Sequence, residues 1–381
     1  MKALVVGGGI GGLAAAIALA RDGHEVTVLE KAERFAPIGA GIVLAPNALS
    51  VLSSLGVDLS ARGHVLAFME VVDAHGTLLQ RIDTTRFVGR YGPTRSFLRP
   101  DLHEALLDAV PMSVPLHTSA TVTSLVEKRD RVEVTWRGTR GEEQGGFDVV
   151  VGADGIHSSV RTLVLGELPL RYSGVTCWRG IVDGFPLPGA VEAWGGASRV
   201  GLVPLRGDRL YYFLVRRAPR RAPAPAWPDE LRTAFAGFSG PAGRLVKALT
   251  ERPPLHHDIE ELEPPVWGQG RVLLLGDAAH AMTPNQGQGA AMAIEDAAVL
   301  ATVLREGVLG ALTRYTAERR ARVRRIQLAS RRIGELAHWE HPLACALRDG
   351  LLRALPLSLS DAPFRRLIEP GFALAQRARA R

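Results

Sequence analysis

The chain has 381 residues, of which 46% are hydrophobic, enough to bury a large core in two or three domains or in one domain with a large insertion. Its 46 basic and 39 acidic residues give a net charge of +7, and the basic surplus is concentrated between Arg314 and Arg332. Two distant cysteines, Cys177 and Cys345, and the lack of any apolar run approaching ~18 residues argue against a disulfide framework, a zinc site and a transmembrane segment.

The opening of the chain has the pattern of a strand, a turn, a helix and a second strand. KALVV (2–6) is a short strand of the buried type, Gly7 to Gly12 form a tight turn, and the alanine-rich stretch from Leu13 to Arg21 favours a helix. HEVTVLE follows as a second strand, which ends at Glu30. This order predicts a βαβ unit.

The turn carries the spacing G-x-G-x-x-G at Gly7, Gly9 and Gly12. The first glycine permits the turn, the second lets a pyrophosphate approach the backbone, and the third allows the helix to pack closely. Glu30 ends the second strand, where a carboxylate can accept hydrogen bonds from the hydroxyls of an adenosine ribose. These residues predict a dinucleotide site and leave open whether the ligand is NAD or FAD.

The middle of the chain changes from this pattern to short alternating strands. LAFMEVVDAHGTLLQRID predicts a hairpin that turns at His75 and Gly76, and the stretch from Arg99 to Val110 predicts a helix with Pro100 at its start. TSATVTSLVEKRD, RVEVTWRG and the apolar FDVVVGADG are strand-like and indicate a parallel sheet. Residues 172–217 alternate as successive strands of a mostly antiparallel sheet.

The last part of the chain is predicted to be helical. A surface loop rich in proline, alanine and arginine (216–228) leads to a helical section, and RVLLLGD (271–277) then forms an apolar strand. From Gly289 to Arg381 the pattern favours helices, with a break near Leu355 to Pro363.

Two further motifs make the interpretation specific. They are DVVVGADGIHSSVR, from Asp148 to Arg161, and RVLLLGDAAHAMTPNQGQGAAMAIEDAAVLA, from Arg271 to Ala301. Together with GGGIGG they resemble the three fingerprints of the class A flavoprotein monooxygenases. This family has the p-hydroxybenzoate hydroxylase fold and includes salicylate, hydroxynicotinate and urate hydroxylases.

The resemblance implies an α/β fold built of three parts. These are a discontinuous Rossmann-like FAD-binding domain (1–65, 96–171 and 266–330), an inserted, mostly antiparallel β-sheet domain for the substrate (66–95 and 172–265), and a helical C-terminal segment (331–381). No second G-x-G-x-x-G is present, so the resemblance implies that NAD(P)H binds transiently in a groove as the reductant.

The same resemblance implies roles for residues of the third motif. Asp277 is expected to bind the ribityl chain of FAD, and Pro284 is expected beside the isoalloxazine ring. Gly287 and Gly289 lie in a glycine loop at the start of a helix, where free N–H groups and the helix dipole can stabilise negative charge on reduced flavin. Considered alone, Asp277 favours a helix N-cap, whereas within this motif the ligand role is favoured.

Three more positions match the family pattern. Asp154 and Gly155 resemble the D-G pair that serves both FAD and the nicotinamide nucleotide, and Arg99 matches the arginine that faces the FAD pyrophosphate. An arginine at a helix start opposes the helix dipole and favours an anion nearby, although an ordinary surface arginine is the alternative.

The substrate site is expected on the inserted sheet, which carries Trp178, Trp194, Arg199, Tyr211 and Tyr212. Aromatic walls suit a planar substrate. SRVGLVPLRGDRLYYF resembles the corresponding strands of urate-type hydroxylases, which implies that Arg199 and Tyr211 orient an anionic or enolic edge of the substrate. The alternative, that these side chains only pack the core of the sheet, stays open at this stage.

The predicted function is FAD-dependent monooxygenation: NAD(P)H and O2 are used to hydroxylate a small planar aromatic or heteroaromatic substrate through a flavin hydroperoxide. The alternative within the fold is an epoxidase, or a reductase or desaturase, acting on an apolar substrate. A halogenase is disfavoured because W-x-W-x-x-P is absent. No catalytic metal is expected, and a cytoplasmic monomer or homodimer is predicted.

A nucleic-acid-binding protein is the rival from another class. It would use the eight arginines between Arg314 and Arg332, which accompany a single acid, Glu318. Because this stretch offers no aromatic platform beyond Tyr315, we favour a solvated helix face and expect no nucleic-acid partner.

Overall fold

The computed structural model describes residues 1–35, 39–249, 252–356 and 361–379. The strands, in chain order, are β1 (Lys2–Val6), β2 (Glu25–Leu29), β3 (Gly41–Leu44), β4 (His64–Leu66), β5 (Phe68–Asp73), β6 (Leu78–Asp83), β7 (Thr94–Leu98), β8 (Leu116–His117), β9 (Thr121–Glu127), β10 (Val132–Gly138), β11 (Gly141–Phe147), β12 (Val149–Gly152), β13 (Leu170–Val182), β14 (Ala190–Gly195), β15 (Ser198–Pro204), β16 (Leu210–Arg217), β17 (Leu255–Leu262), β18 (Gly268–Gln269) and β19 (Val272–Leu274).

The helices are α1 (Ile10–Arg21), α2 (Pro46–Ser54), α3 (Thr85–Tyr91), α4 (Arg99–Ala109), α5 (Ser159–Leu165), α6 (Asp229–Ala234), α7 (Gly240–Ala248), α8 (Asp277–His280), α9 (Gly289–Leu304), α10 (Ala311–Ala337), α11 (Pro342–Ala354) and α12 (Asp361–Arg379). The predicted α/β fold, with an inserted, mostly antiparallel sheet and a helical C-terminal part, is confirmed. Part of the predicted break from Leu355 to Pro363 lies outside the described residues, and α12 has begun by Asp361.

A largely parallel sheet with the order β18-β19-β12-β1-β2-β8 organises the first body of the molecule. Its central strands are apolar because both faces are covered, and the alanines of α1 let that helix pack closely on one face. β1 pairs in parallel with β12 and places Val6 opposite Gly152. Both strands therefore leave the sheet at the same edge, which brings the first two glycine-containing motifs together.

A seven-stranded sheet with the order β17-β13-β16-β15-β14-β5-β6 forms the second body. Its strands come from two separate stretches of the chain, on either side of β7 to β12. One face packs on α6 and α7, and the other, here called the inner face, lies against the first body, where Tyr211 contacts the backbone at Gly41. The exact domain boundaries given above stay a prediction.

Two of the aromatic side chains expected to face the substrate lie on the wrong side of this sheet. Trp178 and Tyr212 belong to the core under α6 and α7, and Trp178 meets Phe235 edge to face and stacks on His256. Because successive side chains on a strand point to opposite faces, Tyr211 faces inward and Tyr212 must face outward. For Trp178 and Tyr212 the packing alternative is therefore correct.

The sequence indicated that the strands after α4 belong to the parallel sheet. In the structure, some of them do not. β9 and β10 pair antiparallel with each other and with β11 in a separate three-stranded sheet. Several strands also went unpredicted, among them the short β3, β7 and β8 and the longer pair β11 and β17. The longer two are edge strands with exposed, polar residues, so they lack the clear apolar alternation of a half-buried strand.

The arginines of α10 are not a solvated face, which corrects the sequence-based interpretation. Arg319 is 2% exposed and pairs with Glu295 and Asp296 of α9. Arg322, Arg324 and Arg331 also form ion pairs, with partners on α9 or at the end of β17. The exposed members are Arg320, Arg325 and Arg332. Tertiary ion pairs to distant acids, invisible in the sequence, neutralise much of this run.

Candidate cofactor and substrate site

The glycine-rich turn between β1 and α1 lies at the mouth of a cavity of about 530 Å³. Gly7 has φ +110°, and a Cβ there would lie 2.4 Å from the Ala153 carbonyl oxygen. A Cβ on Gly12 would lie 1.9 Å from the Gly7 carbonyl oxygen. Gly9 differs, because it lines the cavity and a Cβ there would meet no atom within 4 Å. The turn is thus closed around Gly7 and Gly12 and open at Gly9.

Cationic side chains surround this opening. Lys31, Arg34 and Arg99 line the cavity, and Arg99 begins α4 with its charge opposed to the helix dipole. Burial lowers the pKa of Arg99, while the nearby Asp277 carboxylate opposes that shift. Within the described part of the chain, Arg99 forms no ion pair. The Arg99 charge is therefore available to an anion at this end of the cavity.

Glu30 lies at the opposite wall, immediately after β2. One of its carboxylate oxygens accepts a hydrogen bond from the Gly8 N–H at 2.7 Å and the other accepts one from the Ala32 N–H at 2.9 Å. Each oxygen keeps a second lone pair that can accept a ribose hydroxyl. An open glycine face, cationic side chains and a fixed carboxylate together fit the pyrophosphate and ribose of a dinucleotide such as FAD.

The second motif contributes another wall of the cavity through Asp154 and Gly155. Asp154 accepts hydrogen bonds from the Ser159 hydroxyl (2.9 Å) and the Val160 N–H (3.0 Å), so its carboxylate also holds the start of α5. Gly155 has φ +83°, a conformation that favours glycine. Cofactor roles for these two residues remain a proposal.

Arg161, at the end of the second motif, connects that motif to the third. Its side chain is 4% exposed and donates to the Ala278 carbonyl at 3.0 Å and to the Ile156 carbonyl at 2.7 Å. The sequence motif alone predicts no role for this arginine. The contacts show that it fixes α8 against the loop after β12.

The third motif places Asp277 next to the start of α9. The Asp277 side chain is exposed at the first position of α8, and a Cβ on Gly289 would lie 3.8 Å from one of its carboxylate oxygens. Gly287 has φ +62°, and the Gln288 side chain does not cap α9, so the first N–H groups of this helix are left for an anion. Pro284 lies exposed in the short 3-10 turn just before.

A buried charge network lies behind Asp277 and holds the turn that presents it. Asp296, 0% exposed, accepts hydrogen bonds from the Gly276 N–H at 3.0 Å and from Arg319 at 2.6 Å, and lies 2.6 Å from a His280 ring nitrogen. Although burial alone would raise it, the pKa of Asp296 is lowered to about 2, because His280 and Arg319 favour the ionised carboxylate. The sequence signal for this network was a pair of acids, Glu295 and Asp296, inside an otherwise apolar helix.

Arg199 is placed away from the glycine-rich cavity and is fully engaged by protein groups. It is 2% exposed and donates to Glu192 at 2.8 Å, to Asn285 at 2.7 Å and to His338 at 3.3 Å. Burial, followed by the Arg199 charge, lowers the pKa of His338 to about 3. These contacts join the seven-stranded sheet to α10 and to the turn of Pro284. A substrate-orienting role for Arg199 stays a prediction.

Tyr211 lies on the inner face of the seven-stranded sheet, near an arginine that sequence reasoning missed. β13 and β16 pair Arg179 with Phe213 and Ile181 with Tyr211, so these side chains share one face. Burial raises the pKa of Tyr211, while nearby Arg179 and Arg99 oppose the shift. The signal for Arg179 was a charged residue in an apolar strand, in CWRGIV. Tyr211 and Arg179 therefore face the region where the third motif presents Asp277.

The described residues hold neither a metal cluster nor a membrane-spanning helix. No cluster of three or more histidine, cysteine, aspartate or glutamate side chains suitable for a metal ion occurs among them. Nor does this part of the chain contain a helix that is both long enough and apolar enough to cross a membrane.

Comparison with known proteins places this geometry in context. A family model described as an FAD binding domain matches residues 1–330. The chain is 36% identical to the 2-heptyl-3-hydroxy-4(1H)-quinolone synthase of Pseudomonas aeruginosa over 368 residues, 93% of this chain and 94% of that protein. It is 35% identical to the 3-hydroxybenzoate 6-hydroxylase of Polaromonas naphthalenivorans over 365 residues, 89% and 88% of the two proteins.

A solved structure shows the same architecture with ligands present. The crystal structure of Klebsiella pneumoniae HpxO, complexed with FAD and uric acid, matches with a TM-score of 0.85 and 31% identity. The match covers 98% of this chain and 97% of that one.

Proposed function

The chain belongs to the FAD-dependent aromatic hydroxylases, and from this premise we propose that it hydroxylates a small aromatic or heteroaromatic ring, with NAD(P)H as reductant and O2 as oxidant. Membership confirms the predicted family and the prediction that the cofactor is FAD. The reductant, the reaction and the substrate class form the proposal.

One observation carries the proposal: the cofactor motifs and the inner face of the seven-stranded sheet converge. The first two motifs meet at one edge of the parallel sheet, Arg161 links α8 to them, and Asp277 is electrostatically coupled to Arg179 on the inner face. A ring bound between that face and the cofactor would lie next to the reacting flavin. This arrangement supports chemistry on a substrate held by the sheet.

Bound FAD would supply the redox chemistry, since it can accept a hydride from NAD(P)H and activate O2 so that one oxygen atom enters the ring and the other leaves as water. The protein's own groups bind and orient. We propose that Glu30 holds the adenosine ribose, Arg99 the pyrophosphate and Asp277 the ribityl chain. The uncapped start of α9, around Gly287 and Gly289, would favour negative charge on the reduced ring system.

The related proteins support a ring that carries oxygen. One of them is named as the synthase of a hydroxyquinolone and another as a hydroxylase of hydroxybenzoate, and the solved relative was crystallised with uric acid. Each of these rings bears a hydroxyl or oxo group. We infer that the substrate of this chain is an oxygen-substituted ring as well. That the protein is a monomer or a homodimer, and that it is cytoplasmic, stay predictions.

The test is NAD(P)H oxidation by the FAD-loaded protein with a panel of phenols, hydroxypyridines, quinolones and purines, while oxygen and hydrogen peroxide are measured. We expect at least one ring to stimulate oxygen uptake, with product formed and little peroxide released. Stimulated NAD(P)H oxidation without oxygen incorporation would favour the reductase or desaturase. Conversion of an alkene instead of any ring would favour the epoxidase.

A further inference from the structure

The inner face of the seven-stranded sheet carries two arginines in contrasting surroundings. Arg199 has a protein acceptor for each of its three nitrogens. Arg179 donates only through Nε, to the Cys177 sulfur at 3.4 Å. Its two terminal nitrogens have no hydrogen-bond acceptor in the described structure and are not sealed from solvent. Arg179 thus keeps the end of its guanidinium free for a ligand.

Burial opposes the charge of Arg179, but Cys177, Tyr211 and Asp277 favour it and its pKa is raised; Asp277 is the one carboxylate among these neighbours. Arg99 is close enough that the two charges affect each other, and Asp277 is the acid that both arginines sense. Burial, followed by the Arg179 charge, lowers the pKa of His257 to about 4, so this histidine is neutral near pH 7. If Asp277 forms hydrogen bonds with the ribityl chain of FAD, little else on the protein balances the positive charge of Arg179. Partly buried charges without partners are costly, which favours an anionic ligand here.

We propose that the Arg179 guanidinium binds an ionised oxygen of the aromatic substrate, that is, a phenolate, an enolate or a carboxylate. The inference rests on the proposed function and adds the charge of the substrate to it. A planar guanidinium can hold such an oxygen through two N–H groups at once. The neighbouring Tyr211 and Phe213 supply aromatic surface for the ring on the same face of the sheet.

The experiment compares two ligands that differ in charge and share one ring. Binding of 3-hydroxybenzoate and of its neutral isostere 3-hydroxybenzamide to the FAD-loaded protein is followed through the flavin absorbance and by calorimetry. The proteins are the wild type, R179Q, R179K and R217Q. The last removes an exposed arginine at the end of β16 that pairs with Glu340, and so controls for the loss of one positive charge.

We expect the wild type to bind the benzoate at least about 10-fold more tightly than the benzamide, since charge-assisted hydrogen bonds are among the stronger ones. R179Q should weaken the benzoate about 10-fold to 100-fold and leave the benzamide nearly unchanged. R179K should recover part of the difference, and R217Q should behave like the wild type. Equal binding of both ligands by the wild type, or no binding of the benzoate, contradicts the proposal.

Two further readouts separate this role from a structural one and from a cofactor role. Because Arg179 makes a single hydrogen bond within the described structure, the melting temperature of FAD-loaded R179Q without an aromatic ligand should be close to that of the wild type. Its FAD content should match the wild type in the ratio of flavin to protein absorbance. A lower melting temperature would mean that Arg179 serves the fold, and lost FAD would mean that it serves the cofactor. Either result overturns the proposal.

The outcome is also distinguishable from failure of the proposed function. Charge discrimination that depends on Arg179, without stimulated oxygen uptake by any ring of the panel, would keep this inference and reject the hydroxylase. Productive hydroxylation without such discrimination would keep the hydroxylase and reject this inference.

Discussion

Gly9 differs from the other two glycines of its motif in what surrounds it. Gly7 and Gly12 are glycines because the protein's own backbone occupies the space of a side chain, whereas the space at Gly9 is empty. With φ −78°, Gly9 also has a backbone conformation that other residues adopt. We therefore expect Gly9→Val to fold normally and to lose most of its FAD, because the side chain would fill the approach of the pyrophosphate.

The measurement is the ratio of flavin to protein absorbance after purification, together with the melting temperature without FAD. Gly89→Val is the matched control, since Gly89 is exposed on α3 and a Cβ there also meets no atom within 4 Å. Full FAD content in Gly9→Val would show that the pyrophosphate lies elsewhere.

Asp277 is open to two interpretations, as a ligand of the cofactor or as a helix N-cap. Its carboxylate is exposed and faces the start of α9 rather than closing its own helix. We expect Asp277→Asn to raise the dissociation constant of FAD by about 10-fold or more, in line with a loss of roughly 1.5–3 kcal/mol for a hydrogen bond to a charged group. The melting temperature without FAD should change little.

FAD titration of the deflavinated proteins checks this expectation. Asp229→Asn is the control, because Asp229 begins α6 in the same position and lies far along the chain from the three motifs. Unchanged FAD affinity in Asp277→Asn would contradict the ligand role.

At the scale of elements, α9 and α10 are joined by buried charges. Asp296 of α9 is ionised in the folded protein because Arg319 and His280 face it, and its pKa is lowered from 3.8 to about 2. As the pH falls, the unfolded chain binds a proton at this position before the folded chain does. The stabilisation is therefore complete above about pH 4 and is lost between about pH 4 and pH 2.

We expect the midpoint of urea unfolding to fall steeply over that pH range in the wild type and less steeply in Asp296→Asn. The variant should also be less stable near pH 7, since Arg319 then loses one of its two carboxylate partners. Asp229→Asn, which removes an exposed carboxylate, should alter the slope less. An identical slope in Asp296→Asn and the wild type would contradict the buried ion pair.

The same elements show what the sequence could and could not reveal. The βαβ unit and the motifs at Gly9 and Asp277 depend on local spacing, so a single sequence is enough to predict them. Arg179 depends on which face of β13 it occupies and on which acids are near, and both are tertiary facts. Arg199 looked like the better candidate from its motif, yet Glu192, Asn285 and His338 already use its donors.

At the scale of the whole molecule, the two bodies are linked by ion pairs as well as by the chain. Arg331 of α10 pairs at 2.9 Å with Glu261, which is 0% exposed, and Arg324 pairs at 2.6 Å with Glu263, just after β17. α10 is in turn held to α9, beside the proposed flavin site. Because buried pairs are costly to break singly, we expect both bodies to unfold in one transition.

FAD should raise the temperature of that single transition. A ligand at 100 times its dissociation constant stabilises the folded state by about 2.7 kcal/mol, and the stabilisation grows with the logarithm of its concentration. Differential scanning calorimetry of the deflavinated protein across a range of FAD concentrations tests this, with Gly9→Val as the variant whose transition should stay fixed. Two transitions, of which only one moves with FAD, would mean that the seven-stranded sheet unfolds on its own. In that case the ion pairs of α10 would not couple the substrate-binding sheet to the cofactor-binding body.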